Sequence, residues 1–239
     1  MLVRFLNFMF ISQIRKLYMR FKLNKMHLNA KKVIVAALFV IVSISAFAQN
    51  ADNNTNPYVK LGQKALIDGD FKAAVTNLEK ALPSDPQNLD ILYMLGYSQY
   101  QSNDYNGATK SFSSVIKGRP TDVSAYYYRA KAQNILAVDP DSKLSDEQRS
   151  SLLQASISDY TKAIEMNDND VKLYQNRAMA FRDLGNLLGT NTSKNYNKSV
   201  AMESYDNCIK DLETVLKKNP SRKDLDLELK KVKVYRTSL

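Results

Sequence analysis

His27 is the only histidine and Cys208 the only cysteine in the 239-residue chain. A Ser-His-Asp or Cys-His nucleophile needs an imidazole beside it, and so does a histidine-ligated metal. His27 precedes an apolar leader, so the processed chain is expected to hold no histidine, which removes both chemistries. One thiol cannot build an internal disulfide framework. No Gly-x-x-x-x-Gly-Lys-Ser/Thr loop or Gly-x-Gly-x-x-Gly turn is present to cradle a phosphate. Asp139, Asp141, Asp146 and Glu147 gather carboxylates, but their spacing fits no calcium loop, and turn chemistry accounts for them. Asp168 and Asp170 read as a solvated turn rather than an acid/base pair. Asn191-Thr192-Ser193 matches a glycosylation sequon, a pattern too short to assign a role. The expectations are no enzyme, no metal and no cofactor.

Charge narrows the partner. Lys and Arg total 34 against 24 carboxylates. Eight of those cations and none of the carboxylates lie in residues 1–48, so the remainder is nearly neutral, 26 against 24. A nucleic-acid binder needs a basic face on its folded domain, and none is expected here.

The basic stretch reads as an address. Lys31 and Lys32 precede an apolar run over 33–47, and Ala46-Phe47-Ala48 forms a small-x-small cleavage site before Gln49. That is the three-part secretory signal. The run is shorter than the roughly 20 residues a span requires. The mature chain is therefore expected to begin at Gln49, without a membrane span, in the periplasm or outer envelope of a bacterium. Met26 to Ala48 has the length of an ordinary signal peptide, and Met26 is expected to be the true initiator.

The elements show themselves as a repeat. Tyr58-x-x-Leu61-Gly62 recurs 34 residues later as Leu92-x-x-Leu95-Gly96. The same shift carries Phe71 to Tyr105, Ala74 to Ala108, Leu78 to Phe112 and Pro86 to Pro120. Tyr126-x-x-Arg129-Ala130 and Tyr174-x-x-Arg177-Ala178 open two further units, completed by Ser156 with Tyr160 and by Cys208 with Leu212. Small residues at facing sites let antiparallel helices approach closely. Cys208 shares the register of Ala74 and Ala108, which makes it a buried structural thiol. Gly69 and Asn103 fall where turns need left-handed backbone. The third and fourth units carry insertions of 14 and 18 residues between their helices. These read as longer second helices reached by loops, with Ser145 and Gln148 as a capping box and a mobile loop over 185–196. Ser221 is expected to cap a last helix bearing Leu225, Leu229 and Val232 on one stripe.

This period and spacing resemble the tetratricopeptide repeat (TPR). The resemblance implies an all-α, right-handed α-solenoid of about four TPR helical hairpins, at 55–88, 89–122, 123–170 and 171–222. A linker at 49–54 precedes them and a C-terminal capping helix at 223–239 follows. It also implies protein or peptide binding on the concave face of the first helices. By register, that face would carry Tyr93, Tyr97, Tyr100, Tyr127, Tyr128, Lys131, Asn134, Lys172, Gln175, Asn176 and Arg182. The competing reading packs several of these tyrosines at repeat interfaces. Some relatives grip a terminal carboxylate through a lysine-asparagine set; Val59 and Gln63 break that set here. The function expected is a non-catalytic scaffold or adaptor. The alternative is a structural subunit of an outer-membrane assembly, using the convex face or the insertions.

Overall fold

The structure, a computed structural model, describes residues 56–191 and 194–239. The leader, the cleavage residues Ala46, Ala48 and Gln49, and Met26 lie outside the described residues, as do Thr192 and Ser193. Residues 56–239 form one unit that is helical throughout, with no strand among the described residues. Its helices are α1 (Pro57–Asp68), α2 (Phe71–Ala81), α3 (Leu89–Gln101), α4 (Tyr105–Gly118), α5 (Val123–Val138), α6 (Asp146–Met166), α7 (Val171–Gly189), α8 (Lys198–Lys218) and α9 (Lys223–Ser238).

Local chemistry sets the helix starts. The side chains of Asn56, Asp70, Asn88, Asp104, Asp122, Ser145, Asp170 and Asn197 each accept a backbone N–H of the helix that follows. An Asp, Asn or Ser cap satisfies a donor that the first turn leaves orphaned. Ser145 and Gln148 form the reciprocal capping box. The tight turns within the first two hairpins are left-handed, at Gly69 (φ 77°) and Asn103 (φ 68°). Ser221 does not cap the last helix: Arg222 holds that position without a side-chain cap bond, and its guanidinium pairs instead with Asp224 at 2.7 Å.

Helices α1 to α8 pair as four hairpins, and α9 covers the last. The small residues stand where the paired helices touch. A Cβ on Gly62 would lie 2.7 Å from Leu78 Cγ, and one on Gly96 would lie 3.1 Å from Ser111 Cβ. Ala74, Ala108, Ser156 and Cys208 are fully buried. Each hairpin also packs on the next, and in addition α1 touches α3, α3 touches α5 and α5 touches α7. The first helices therefore line one continuous inner face. The result is an all-α solenoid.

The insertions lengthen both helices of each hairpin, not the second alone. Residues 185–189, expected to be loop, continue α7. Gly185 is buried against Tyr205, where a Cβ would sit 2.6 Å from the ring, so this glycine serves close packing rather than a turn. The added turns build a layer of their own from Ala137, Leu153, Leu184, Leu188 and Ala201. On α9, Leu225, Leu229 and Val232 are buried against α8, whereas Lys230 stands exposed. Lys230 occupies the register that Gly62, Gly96, Ala130 and Ala178 hold in the hairpins, so α9 has no site for a second helix and closes the array.

Candidate partner-binding groove

The tyrosines of α3 and α5 meet across the junction of the second and third hairpins. Tyr97 stands edge-on to Tyr128, with ring centroids 5.2 Å apart, and to Phe71 at 6.2 Å. Tyr128 stacks on Phe112, 5.7 Å away and 13° from parallel, and is tilted against Tyr100 at 5.4 Å. Tyr127 touches Tyr128 and Tyr160, and Tyr93 stands edge-on to Phe112. Such edge and offset contacts each contribute about 0.5–1.5 kcal/mol beyond area burial. These rings therefore hold hairpins together as well as facing the inner surface.

The set divides by environment. Burial pushes the phenols of Tyr93 and Tyr128 far above their ordinary value, with Asp122 adding to it at Tyr93 and the neighbouring tyrosines at Tyr128. These two are chiefly interface packing. Tyr100 and Tyr127 are half-buried beneath Lys131, whose Nζ lies 5.1 Å from the Tyr100 ring centroid and 5.5 Å from that of Tyr127. The Tyr97 hydroxyl accepts from Gln101 Nε2 at 2.7 Å. Lys131 forms no ion pair among the described residues. An ammonium over two aromatic faces is held by the ring quadrupoles while its charge stays uncompensated.

Further along the array the sequence-derived residues are tied into the fold. Asn134 donates to Asp183 at 3.3 Å. Asn176 donates to the Lys172 carbonyl of its own helix at 2.6 Å. Arg182 pairs with Asp183 at 2.7 Å and with Glu228 of α9 at 2.9 Å. Burial works against its charged form, yet the two carboxylates hold its pKa above the ordinary value. One cation between two anions leaves a local excess of negative charge, so Arg182 is not the free attractant for carboxylates that its register suggested. Lys172 is exposed at the start of α7, and Gln175 accepts from Arg222 at 3.3 Å.

Sequence reasoning missed a repeated latch. Arg129 of α5 makes a two-pronged contact with Asp159 of α6, at 2.7 and 2.6 Å, and reaches Ser113 of α4 at 3.0 Å. Arg177 of α7 repeats the arrangement with Asp211 of α8, at 2.8 Å on both prongs, and with Thr161 of α6 at 3.0 Å. Each arginine thus ties together the two helices of its hairpin and the hairpin before it. Each also lies 5.7 Å from a tyrosine ring on its own helix, Tyr126 or Tyr174. The signal was present in the recurrence of Tyr-x-x-Arg-Ala with an aspartate just before Tyr160 and Leu212. Leu61 and Leu95 hold the arginine position in the first two hairpins.

Cys208 is fully buried, and burial pushes its thiol up to about 12. No cluster of metal-ligating side chains occurs among the described residues, and no helix there is long and apolar enough to cross a membrane.

Residues 65–133 match the tetratricopeptide repeat family model. No curated protein matches the sequence. Among solved structures, a MamA protein is similar at 20% identity and TM-score 0.48, over 75% of this chain and 90% of that one. A thermophilic TPR protein of Thermus thermophilus is similar at 20% identity and TM-score 0.43, over 74% and 97%. The matched segment runs from α1 into α5, and the third and fourth hairpins repeat its register of small residues at the helix contacts.

Proposed function

We propose that this protein is a non-catalytic scaffold that holds a segment of a partner protein or peptide against the inner face of α3 and α5. The observation that carries this is Lys131, an uncompensated cation resting on Tyr100 and Tyr127 beside Tyr97. Aromatic rings supply broad contact at low entropic cost, and a cation at their edge selects partners bearing carboxylates. The signal-peptide pattern supports an exported location, in the periplasm or envelope. Intact mass of the exported chain tests the cleavage before Gln49: a species retaining residues 33–47 would show an anchor instead.

The groove is tested by recovering a partner from envelope extract and titrating it against wild type and Lys131→Glu. Tyr97→Ala is a poorer probe, because Tyr97 also packs Phe71 and Tyr128. Reversing the charge should cost roughly 1–2 kcal/mol of binding with the thermal melt unchanged. Full affinity in Lys131→Glu would move the contact to the insertions. There the exposed Val138 and Tyr196 offer apolar surface, as the reading of an assembly subunit requires.

A further inference from the structure

At four junctions the second helix of one hairpin lies on the first helix that follows: α2 on α3, α4 on α5, α6 on α7 and α8 on α9. The surface covered is one register each time. On α3 it is Leu92 and Leu95, only 8% and 4% exposed. On α5 and α7 it includes Arg129 and Arg177, each bonded to a hydroxyl of the covering helix. On α9 it includes Leu229, packed with Leu212 and Val215. The covering helices share a pattern too: Leu82, Ile116, Ile164 and Leu216 each follow the small residue of their helix by eight positions. On α1 the same register holds Tyr58 and Leu61, and these are 41% and 49% exposed. The Lys80 ammonium leans over the Tyr58 ring, 5.7 Å from its centroid.

We propose that this face of α1 is an open junction that takes an amphipathic helix of a partner protein, seated as α2 sits on α3. The molecule itself shows four times what covers this register, and each time it is a helix with an aliphatic stripe. A second copy of the chain is the poorer occupant. Its far end is closed by Lys230 in the small-residue register, with Lys223 and Lys231 exposed nearby. Lys64 is paired with Asp68 and Lys230 with Asp226, each on its own helix, so the ends differ by register rather than by charge: α9 stands in the register of a first helix and does not present the second helix that covers this face elsewhere. Lys80, over the Tyr58 ring, favours a partner helix with a carboxylate on its flank. This surface is separate from the inner face and does not rest on the groove reading.

The test uses a labelled, end-blocked peptide of residues 71–84, the segment that covers Leu92 and Leu95, titrated against the chain from Gln49 on. The expected result is saturable binding that Leu61→Lys weakens about tenfold or more and Lys131→Glu leaves unchanged. The same peptide carrying Leu78→Ser and Leu82→Ser should not bind. Tyr58→Ser is the second variant should Leu61→Lys disturb the melt. Absence of saturable binding, or equal binding by Leu61→Lys and Tyr58→Ser, overturns the proposal. A dimer of the peptide-free chain that Leu61→Lys dissolves would assign the face to a second copy and overturn the partner.

Discussion

Removing Asp211 alone should harm the protein far more than removing Asp211 and Arg177 together. The Arg177 guanidinium meets the Asp211 carboxylate through two bonds of 2.8 Å, and the side chains are 17% and 3% exposed. With an effective dielectric near 20 and charge centres about 4 Å apart, the attraction is about 4 kcal/mol. Desolvating each ion costs several kcal/mol, so the intact pair contributes little net stability. Asp211→Ser leaves the arginine in its site without a counter-charge, and Arg177→Leu leaves a nearly inaccessible carboxylate. Each should cost about 3–5 kcal/mol. The second hairpin shows an uncharged solution at the same register, Leu95 with Ser111. The double variant Arg177→Leu/Asp211→Ser installs that pair and should lie within about 1–2 kcal/mol of wild type. Urea unfolding gives the midpoints and slopes for the cycle. Amide exchange on α7 and α8 shows whether loss is confined to the fourth hairpin, since repeat arrays can open locally. A double variant as damaged as the two singles added together would refute the reasoning, because the side chains would then act through independent contacts.

Gly96→Leu and Ala108→Leu should each destabilise the second hairpin by about 1–3 kcal/mol through overpacking; an unchanged urea midpoint would place the helix contact elsewhere. Alkaline stability should depend on Cys208. Its thiol ionises near 9 when solvated and at about 12 in the fold, so the unfolded chain loses its proton first. The share of stability linked to this thiol is complete below about pH 9 and falls above it by about 1.4 kcal/mol per pH unit, with the buried tyrosines adding to the fall toward pH 10. Urea midpoints from about pH 8 to 10 should fall less steeply in Cys208→Ala than in wild type, the buried tyrosines supplying the slope that remains.

Most of the architecture was legible because it depends on local rules applied at a fixed interval. Gly69 and Asn103 mark turns by the backbone they permit, and both are left-handed in the fold. Gly62, Gly96, Ala74 and Ala108 mark helix contacts because only small residues let the backbones approach. Ser221 misled because Ser is a good cap in isolation, while the chain enters α9 one residue later with Arg222 held by Asp224. Gly185 misled for the opposite reason: glycine signals a turn until the close neighbour Tyr205 is known.

Periodicity by itself determined the helical class, the hairpin register, the small-residue contacts and the closing stripe on α9, since each follows from spacing along one or two helices. The tertiary structure alone decided what each polar or aromatic side chain meets. Arg182 and Lys131 look alike as cations on first helices, yet one is enclosed by Asp183 and Glu228 and the other lies over two rings. Arg129 finds Asp159 thirty residues away and Ser113 in the preceding hairpin. Such partners lie on other helices, and their approach depends on how hairpins stack and how far each insertion extends its helices. A charge reads its neighbours in space, and spacing along one helix carries no record of which neighbours another helix brings.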